Sequence, residues 1–180
     1  AEAVQAHDIG ILVRTNQQAD IMKTHLLENG ISAVAYSVKN IFDTHEAAEM
    51  HQLLLGISEP LNERRLKAAL VTDMMGVTAR ELAAAEEGGV AWRRRLVRCM
   101  EYHRMWRRQG FMPMFRRLMK RENVRPRLLS FNDGERRLTN LIHLSEILHK
   151  RSIGSHLGVA ALVRWLAVQR DPKTPRMEAD

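Results

Sequence analysis

Basic side chains are concentrated in one segment of the 180-residue sequence, and their chemistry suggests anion binding. From Arg93 to Arg127 the segment has 13 basic and 2 acidic residues, whereas the rest of the chain has 15 basic and 19 acidic residues. The formal net charge of +7 therefore comes entirely from this segment. A local excess of cations is typical of a surface that faces phosphate or an acidic partner protein.

Four arginines of this segment are candidate DNA contacts. Helical spacing from Trp92 to Gln109 predicts one helix, with an apolar stripe on one side and arginines on the other. Few acids lie nearby in the sequence, so we expect a counter-charge from nucleic acid or from an acidic surface of a partner subunit. The alternative is an ordinary solvated helix face. The four candidates are Arg94, Arg98, Arg104 and Arg108.

Motifs that would indicate a catalytic centre are missing from the sequence. It has no Gly-x-x-x-x-Gly-Lys-Ser/Thr loop for binding a nucleoside triphosphate. Its histidines and its one cysteine do not have zinc-ligand spacing. Cys99 and His103 are one helical turn apart, as a nucleophile and its base can be, but a core role explains them better. Both belong to the apolar stripe, which comprises Trp92, Leu96, Cys99, Met100, His103 and Trp106. We therefore predict no catalytic residue and no metal ligand.

The remaining composition favours a cytoplasmic protein. The single cysteine excludes an internal disulfide framework and favours a reducing compartment. No apolar run approaches the ~20 residues of a membrane-spanning helix, and the first residues lack the pattern of a signal peptide. We expect a soluble chain that makes no membrane contact.

A strand-helix-strand unit is predicted at the start of the chain, followed by helices only. Ile9 to Val13 is apolar on both faces, as a buried parallel strand is, and Ile31 to Tyr36 is predicted as its neighbour. Two short strands cannot form an α/β core, so we expect the rest of their sheet in sequence outside this chain. The predicted fold class is mainly α: a helical domain preceded by a partial α/β unit.

Short-range signals predict where the helices begin and end. Capping-box spacing relates Asp43 to Glu46 and Thr78 to Glu81, so helices should start near Thr44 and Ala79. Further helices are predicted at about 63–71, 92–109, 135–150 and 157–169. Breaks are predicted at Gly88-Gly89, at Gly110 and at Arg125-Pro126.

Several stretches resemble the UvrD-like superfamily 1 helicases and, within them, the RecB-like helicase-nucleases of the exodeoxyribonuclease V (RecBCD) type. In the wider family a RecA-like domain, 2A, is interrupted by a helical insertion, 2B. Asp8 to Asn16, Gly30-Ile31 and Ile41 to Met50 are similar to the region where 2B begins. Three stretches resemble RecB-like proteins in particular, with the second the most specific: Gly110 to Met114, Gly134 to Glu146 and Leu162 to Leu166.

The resemblance implies a domain organisation, cofactors and partners. Residues 1–37 would be a partial 2A segment, residues 38–170 the 2B domain and residues 171–180 an extended tail. ATP and magnesium are implied for the parent protein, with no cofactor in this fragment. The implied partners are single-stranded and duplex DNA together with RecC-like and RecD-like subunits.

Two groups of DNA contacts carry over from the family by position. In UvrD-like helicases the loop after the first strand lies beside the single strand along which the helicase moves. The matching residues here are Arg14, Thr15 and Asn16. The alternative is that Thr15 or Asn16 only caps the next helix. A glycine-bearing turn in 2B offers backbone amides to duplex phosphate, and the matching stretch is Met75, Gly76, Val77 and Thr78, running into Arg80. Met75 replaces the first glycine of that turn, and a plain helix-helix turn is the alternative.

The expected function is that of a non-catalytic fragment of an ATP-dependent DNA helicase-nuclease, active in double-strand break repair and recombination. The fragment would engage DNA and dock partner subunits. Two alternatives stay open: the 2B region of an AddA-type or UvrD-type helicase, and a protein-interaction scaffold whose arginines never touch DNA.

Overall fold

The computed structural model describes residues 5, 8–31, 33 and 40–171, and the chain divides into two compact units at Lys39/Asn40. The first unit, residues 1–39, has one described helix, α1, at Asn16–Glu28. The second unit starts with a 3₁₀ turn at Ile41–Asp43. Its described helices are α2 at His45–Ser58, α3 at Glu63–Leu70, α4 at Ala79–Gly88, α5 at Val90–Gln109, α6 at Phe111–Arg121, α7 at Val124–Leu129, α8 at Gly134–Gly154 and α9 at Val159–Gln169. The mainly α fold class is confirmed.

The partial α/β unit is the part of the fold prediction that the structure does not show. The described residues 8–15 contain no strand, and Ile9, Ile11 and Leu12 are exposed. A parallel strand needs hydrogen-bonding neighbours and helical cover, and this stretch has neither among the residues described in its unit. The second predicted strand, apart from Ile31 and Ala33, lies outside the described residues.

The core of the second unit is built around α2. Met50, Leu53, Leu54 and Ile57 on this helix are fully buried, and α2 packs against α3, α5, α8 and α9. The α2/α3 contact is close because Gly56 has no side chain: a Cβ there would overlap the Ala69 side chain and the Arg65 carbonyl oxygen. Burial of this apolar face is the main source of stability for a helical domain of this kind.

The apolar stripe of α5 lies mainly against this core. Cys99, Tyr102 and Trp106 are buried, whereas the predicted stripe residue Met100 is exposed. Burial, with the Glu122 carboxylate nearby, raises the pKa of the Cys99 thiol to about 12. Because the thiolate is the reactive form, Cys99 behaves as a core residue, in agreement with the sequence analysis.

Helix ends follow local chemistry, with two corrections. Thr78 and Glu81 form the predicted capping box of α4, whereas Asp43 does not cap α2. Thr44 caps that helix by accepting a hydrogen bond from the Ala47 N–H at 3.3 Å. Asp43 belongs instead to the preceding 3₁₀ turn.

The chain does not break at Arg125-Pro126 as predicted. These residues lie in the first turn of α7, where a missing proline N–H costs no helical hydrogen bond. The break falls earlier, at Asn123, whose φ of 51° is left-handed. The breaks at Gly89 and Gly110 are confirmed, with φ of 59° and 91°.

A buried group of polar residues, the carboxylate network, ties α2 and α8 to the loop between α3 and α4. Arg137 on α8 is 7% exposed and donates to Glu46 at 3.3 Å and to Asp73 at 2.5 Å. Asn140 donates to the second oxygen of Glu46 at 3.0 Å. The Asp73 N–H donates to the Glu49 carboxylate at 2.6 Å. The network therefore holds the loop that leads into the Gly76 turn.

Among the described residues, no helix is long and apolar enough to cross a membrane. The predicted tail, residues 171–180, lies outside the described residues except for Asp171.

Candidate nucleic-acid interface

Five arginines of α5 project to solvent, and we call them the α5 arginine surface. They lie on the solvent side of α5, because the opposite side of the helix packs into the core through Cys99, Tyr102 and Trp106. The structure records no ion pair for them within the described part of the chain. Their positive charge is therefore available to an anion. The five are Arg93, Arg94, Arg104, Arg107 and Arg108.

Arg98 does not belong to this surface, which corrects its grouping with the solvent-facing candidates. Its guanidinium donates to both oxygens of the Glu122 carboxylate, at 3.0 and 3.3 Å. The Tyr102 hydroxyl donates to the same carboxylate at 2.6 Å, and burial together with this carboxylate raises the pKa of Tyr102. Glu101, the other acid of the basic segment, is also paired with an arginine: Arg121 donates to its carboxylate at 2.5 Å.

Replacing Arg98 should separate this structural role from the role of its neighbours. We expect Arg98→Gln to lower the free energy of unfolding by about 1 to 3 kcal/mol, because the nearly buried Glu122 carboxylate loses its cation. Arg94→Gln, on the same helix but exposed, should stay within about 0.5 kcal/mol. Urea unfolding followed by circular dichroism measures both. Equal losses in the two variants would contradict the structural assignment of Arg98.

A groove of about 930 Å³ lies at the carboxyl-terminal half of the α5 arginine surface. One wall is α5, including Met100, His103 and Arg104. The other wall is the segment 58–62, in which Leu61 is 78% exposed. The His103 Nδ1–H group donates to the Ile57 carbonyl oxygen at 2.9 Å, which joins α5 to the end of α2, just before this segment. The groove thus combines cations with exposed apolar surface.

The Gly76 turn does not present free backbone amides in this structure. The four N–H groups from 75 to 78 all donate within the chain: Met75 and Gly76 to the Thr72 carbonyl at 3.0 and 2.7 Å, Val77 to the Leu70 carbonyl at 3.1 Å and Thr78 to the Glu81 carboxylate at 2.8 Å. The side chains of Met75 and Val77 are buried, whereas Thr78 and Arg80 are exposed. The Thr78 hydroxyl is also engaged, because it donates to the Glu81 carboxylate at 2.9 Å, so a phosphate at this turn would meet Arg80 first. The DNA role of the turn stays a prediction.

A conformational requirement explains why residue 76 is glycine. Its φ is 65°, and a Cβ there would overlap the Arg127 guanidinium. Arg127 lies across the turn because it donates to the Met74 carbonyl oxygen at 2.6 Å. The turn is therefore closed by a cation 53 residues from Met74 in the sequence, a contact without a local sequence signal.

In the first unit, Thr15 is the N-cap of α1, as the alternative in the sequence analysis stated. It forms a capping box with Gln18: the Thr15 hydroxyl accepts from the Gln18 N–H at 3.2 Å, and the Gln18 amide oxygen accepts from the Arg14 and Thr15 N–H groups. The Thr-x-x-Gln spacing is the signal that identifies this cap. Asn16 is the first residue of α1, and the Arg14 side chain is exposed. Their contact with single-stranded DNA stays a prediction.

Comparison with known proteins identifies relatives over nearly the whole chain. RecBCD enzyme subunit RecB of Escherichia coli is 38% identical over 169 residues, which are 93% of this chain and 14% of that protein. The RecB subunit of Haemophilus influenzae is 31% identical over 169 residues, and that of Mycolicibacterium smegmatis is 31% identical over 173 residues, or 96% of this chain.

No family model matches the chain. The chain spans about one seventh of the length of the curated relatives it matches. The matching proteins carry the same name and agree with the resemblance drawn from Gly134 to Glu146. By sequence, the chain therefore matches a fragment of a RecB subunit over nearly its whole length.

Proposed function

We propose that this chain is a non-catalytic, DNA-engaging segment of a RecB-type helicase-nuclease that acts in double-strand break repair and recombination. Support for the parent activity comes from the relatives, which are subunits of the RecBCD enzyme. By the same reasoning the parent protein would use ATP and magnesium and would work in the cytoplasm with RecC-like and RecD-like subunits on DNA. The named relatives favour a RecB-type parent over an AddA-type or UvrD-type one.

The α5 arginine surface is the observation that supports DNA engagement. Its guanidinium groups project from one helix and form no ion pair among the described residues. An array of this kind neutralises phosphates and releases their counterions, which gives binding without base recognition. We expect weak, sequence-independent binding to both duplex and single-stranded DNA.

Replacing three of these arginines tests the proposal. In Arg94→Gln/Arg104→Gln/Arg108→Gln, we expect the affinity for a labelled duplex to fall about tenfold or more at low salt, because each lost cation removes a phosphate contact. Fluorescence anisotropy measures this affinity. The triple variant should remain folded, since all three side chains are exposed.

The matched control removes the same charge elsewhere. Arg64→Gln/Arg125→Gln/Arg164→Gln changes three exposed arginines on α3, α7 and α9. A smaller loss in this control supports the α5 arginine surface as the contact. Equal losses in both variants would show that only the total charge matters and would contradict the assignment.

A second candidate function is docking of a partner subunit in the groove between α5 and the segment 58–62. The observation that favours it is apolar exposure beside the cations: Leu61 and Met100 lie next to Arg104 and Arg108. Arginine and methionine are enriched in protein interfaces. If the glutamine variant keeps its full DNA affinity, partner docking becomes the better account of these arginines.

A further inference from the structure

We propose that His45, Glu49 and Asp73 form a binding site for a first-row transition metal ion such as Zn²⁺. His45 and Glu49 lie one turn apart on α2, and Asp73 comes from the loop between α3 and α4. This inference goes beyond the DNA role and does not depend on it. The site is not visible in the sequence pattern, because Asp73 is distant along the chain and no second histidine has ligand spacing.

The distances suit such an ion. The His45 Nε2 atom lies 3.5 Å from the Glu49 Oε1 atom and 3.5 Å from the Asp73 Oδ2 atom. One ligand atom from each residue fits within a mutual distance of 4.8 Å. A tetrahedral Zn²⁺ with bonds of about 2.0 to 2.2 Å places its ligand atoms roughly 3.3 to 3.6 Å apart. The two distances from His45 thus match those of a zinc site, and a fourth coordination position is left for water.

The local charge also favours a cation. Glu46, Glu49 and Asp73 bring three carboxylates to the carboxylate network, while Arg137 brings one guanidinium, so these groups carry −2 when His45 is neutral. Glu49 is buried, so little water reaches its carboxylate. A divalent ion would neutralise the excess negative charge.

An ion can reach the three side chains from solvent, and hydrogen bonds hold Glu49 and Asp73 in place. The His45 side chain is 60% exposed, so an ion can enter from solvent. The Asp73 N–H donates to Glu49, which fixes the loop against α2. Arg137 donates to Asp73, but a carboxylate oxygen has two lone pairs and can bind a metal ion while accepting this bond. Hydrogen bonds of this type orient metal ligands in known sites.

The ligand set favours Zn²⁺ over magnesium. One imidazole nitrogen and two carboxylate oxygens suit Zn²⁺, Co²⁺ and Mn²⁺, and Mn²⁺ binds more weakly than Co²⁺ in the usual affinity order. Magnesium demands octahedral oxygen coordination. A bound ion would clamp the loop that leads to the Gly76 turn onto α2.

Isothermal titration with ZnCl₂ on chelator-treated chain tests the inference. We expect one Zn²⁺ per chain, a rise in melting temperature on binding, and no displacement by a large excess of Mg²⁺. His45→Ala should lose this binding event while the metal-free chain keeps its melting temperature, because His45 is exposed. Glu49→Gln should also lose it.

The matched control is His143→Ala, which removes an exposed histidine from α8 and should bind Zn²⁺ as the unchanged chain does. The inference is overturned if the chain takes up no stoichiometric Zn²⁺, if His45→Ala binds as tightly as the unchanged chain, or if the two histidine variants lose binding equally. The last outcome would indicate adventitious binding to surface histidines only.

Discussion

Arg137→Met should lower the free energy of unfolding by about 3 to 5 kcal/mol, the usual cost of removing one partner from a buried ion pair. Arg137 is 7% exposed and Glu46 is 2% exposed, so the lost guanidinium leaves a carboxylate that water cannot reach. Asp73 loses its donor as well. The guanidinium also lies over the Phe131 ring, 4.3 Å from its centroid, and this contact disappears with it.

The neighbouring arginine provides the control. Arg136 pairs with Asp133, but its side chain is exposed, so Arg136→Met should cost no more than about 1 kcal/mol. Urea unfolding followed by circular dichroism compares the two variants. If Arg137→Met costs no more than Arg136→Met, the carboxylate network does not hold α2 and α8 together in solution.

Gly76→Val should cost about 2 to 4 kcal/mol, from two sources. A β-branched residue at a φ of 65° is strained, and its side chain must displace the Arg127 guanidinium that donates to the Met74 carbonyl oxygen. Thermal and urea unfolding measure the loss. Gly154→Ala, where a Cβ meets nothing within 4 Å, should be nearly neutral.

This result limits what a Gly76 variant can reveal about DNA. Because the N–H groups from 75 to 78 are already bonded within the chain, weaker DNA binding by Gly76→Val would report a damaged turn rather than lost amide contacts. Arg80→Gln is the cleaner probe of the turn, since Arg80 is exposed. A stable Gly76→Val variant would contradict the role given to Arg127.

Features encoded over a few residues were predictable from the sequence. The Thr78 and Glu81 capping box and the breaks at Gly89 and Gly110 depend on neighbouring residues only, and each is present. The Asp43 cap prediction was wrong by one residue, because Asp43 ends the 3₁₀ turn and Thr44 caps α2 instead. Glu46 contacts Arg137 and Asn140 of α8, and these long-range contacts have no signal in the local sequence.

The predicted strand at Ile9 to Val13 depends on neighbouring strands, which a local pattern cannot reveal. Its apolar pattern is that of a strand inside a sheet, but a strand forms only where neighbouring strands supply hydrogen bonds. The pattern carries no information on whether those neighbours are in the same chain. The described residues of the first unit therefore contain the helix and its cap without the predicted strand.

The candidate interface was predictable only where it depends on helical spacing. Helical spacing correctly placed Arg94, Arg104 and Arg108 on the exposed side of α5. It also placed Arg98 there, because the pairing with Glu122 depends on how α5 packs against α6 and not on local sequence. Arg127 was likewise assigned only to the basic segment, while in the structure it closes the Gly76 turn.

The salt dependence of DNA binding tests the central proposal most directly. Each phosphate neutralised on duplex DNA contributes about −0.9 to the slope of log K against log salt. If the α5 arginine surface contacts DNA, the Arg94/Arg104/Arg108 glutamine variant should flatten the slope by about 2.7 when all three make phosphate contacts. Fluorescence anisotropy over a series of salt concentrations gives this slope. An unchanged slope in the variant would contradict the proposal and remove these arginines from the DNA interface.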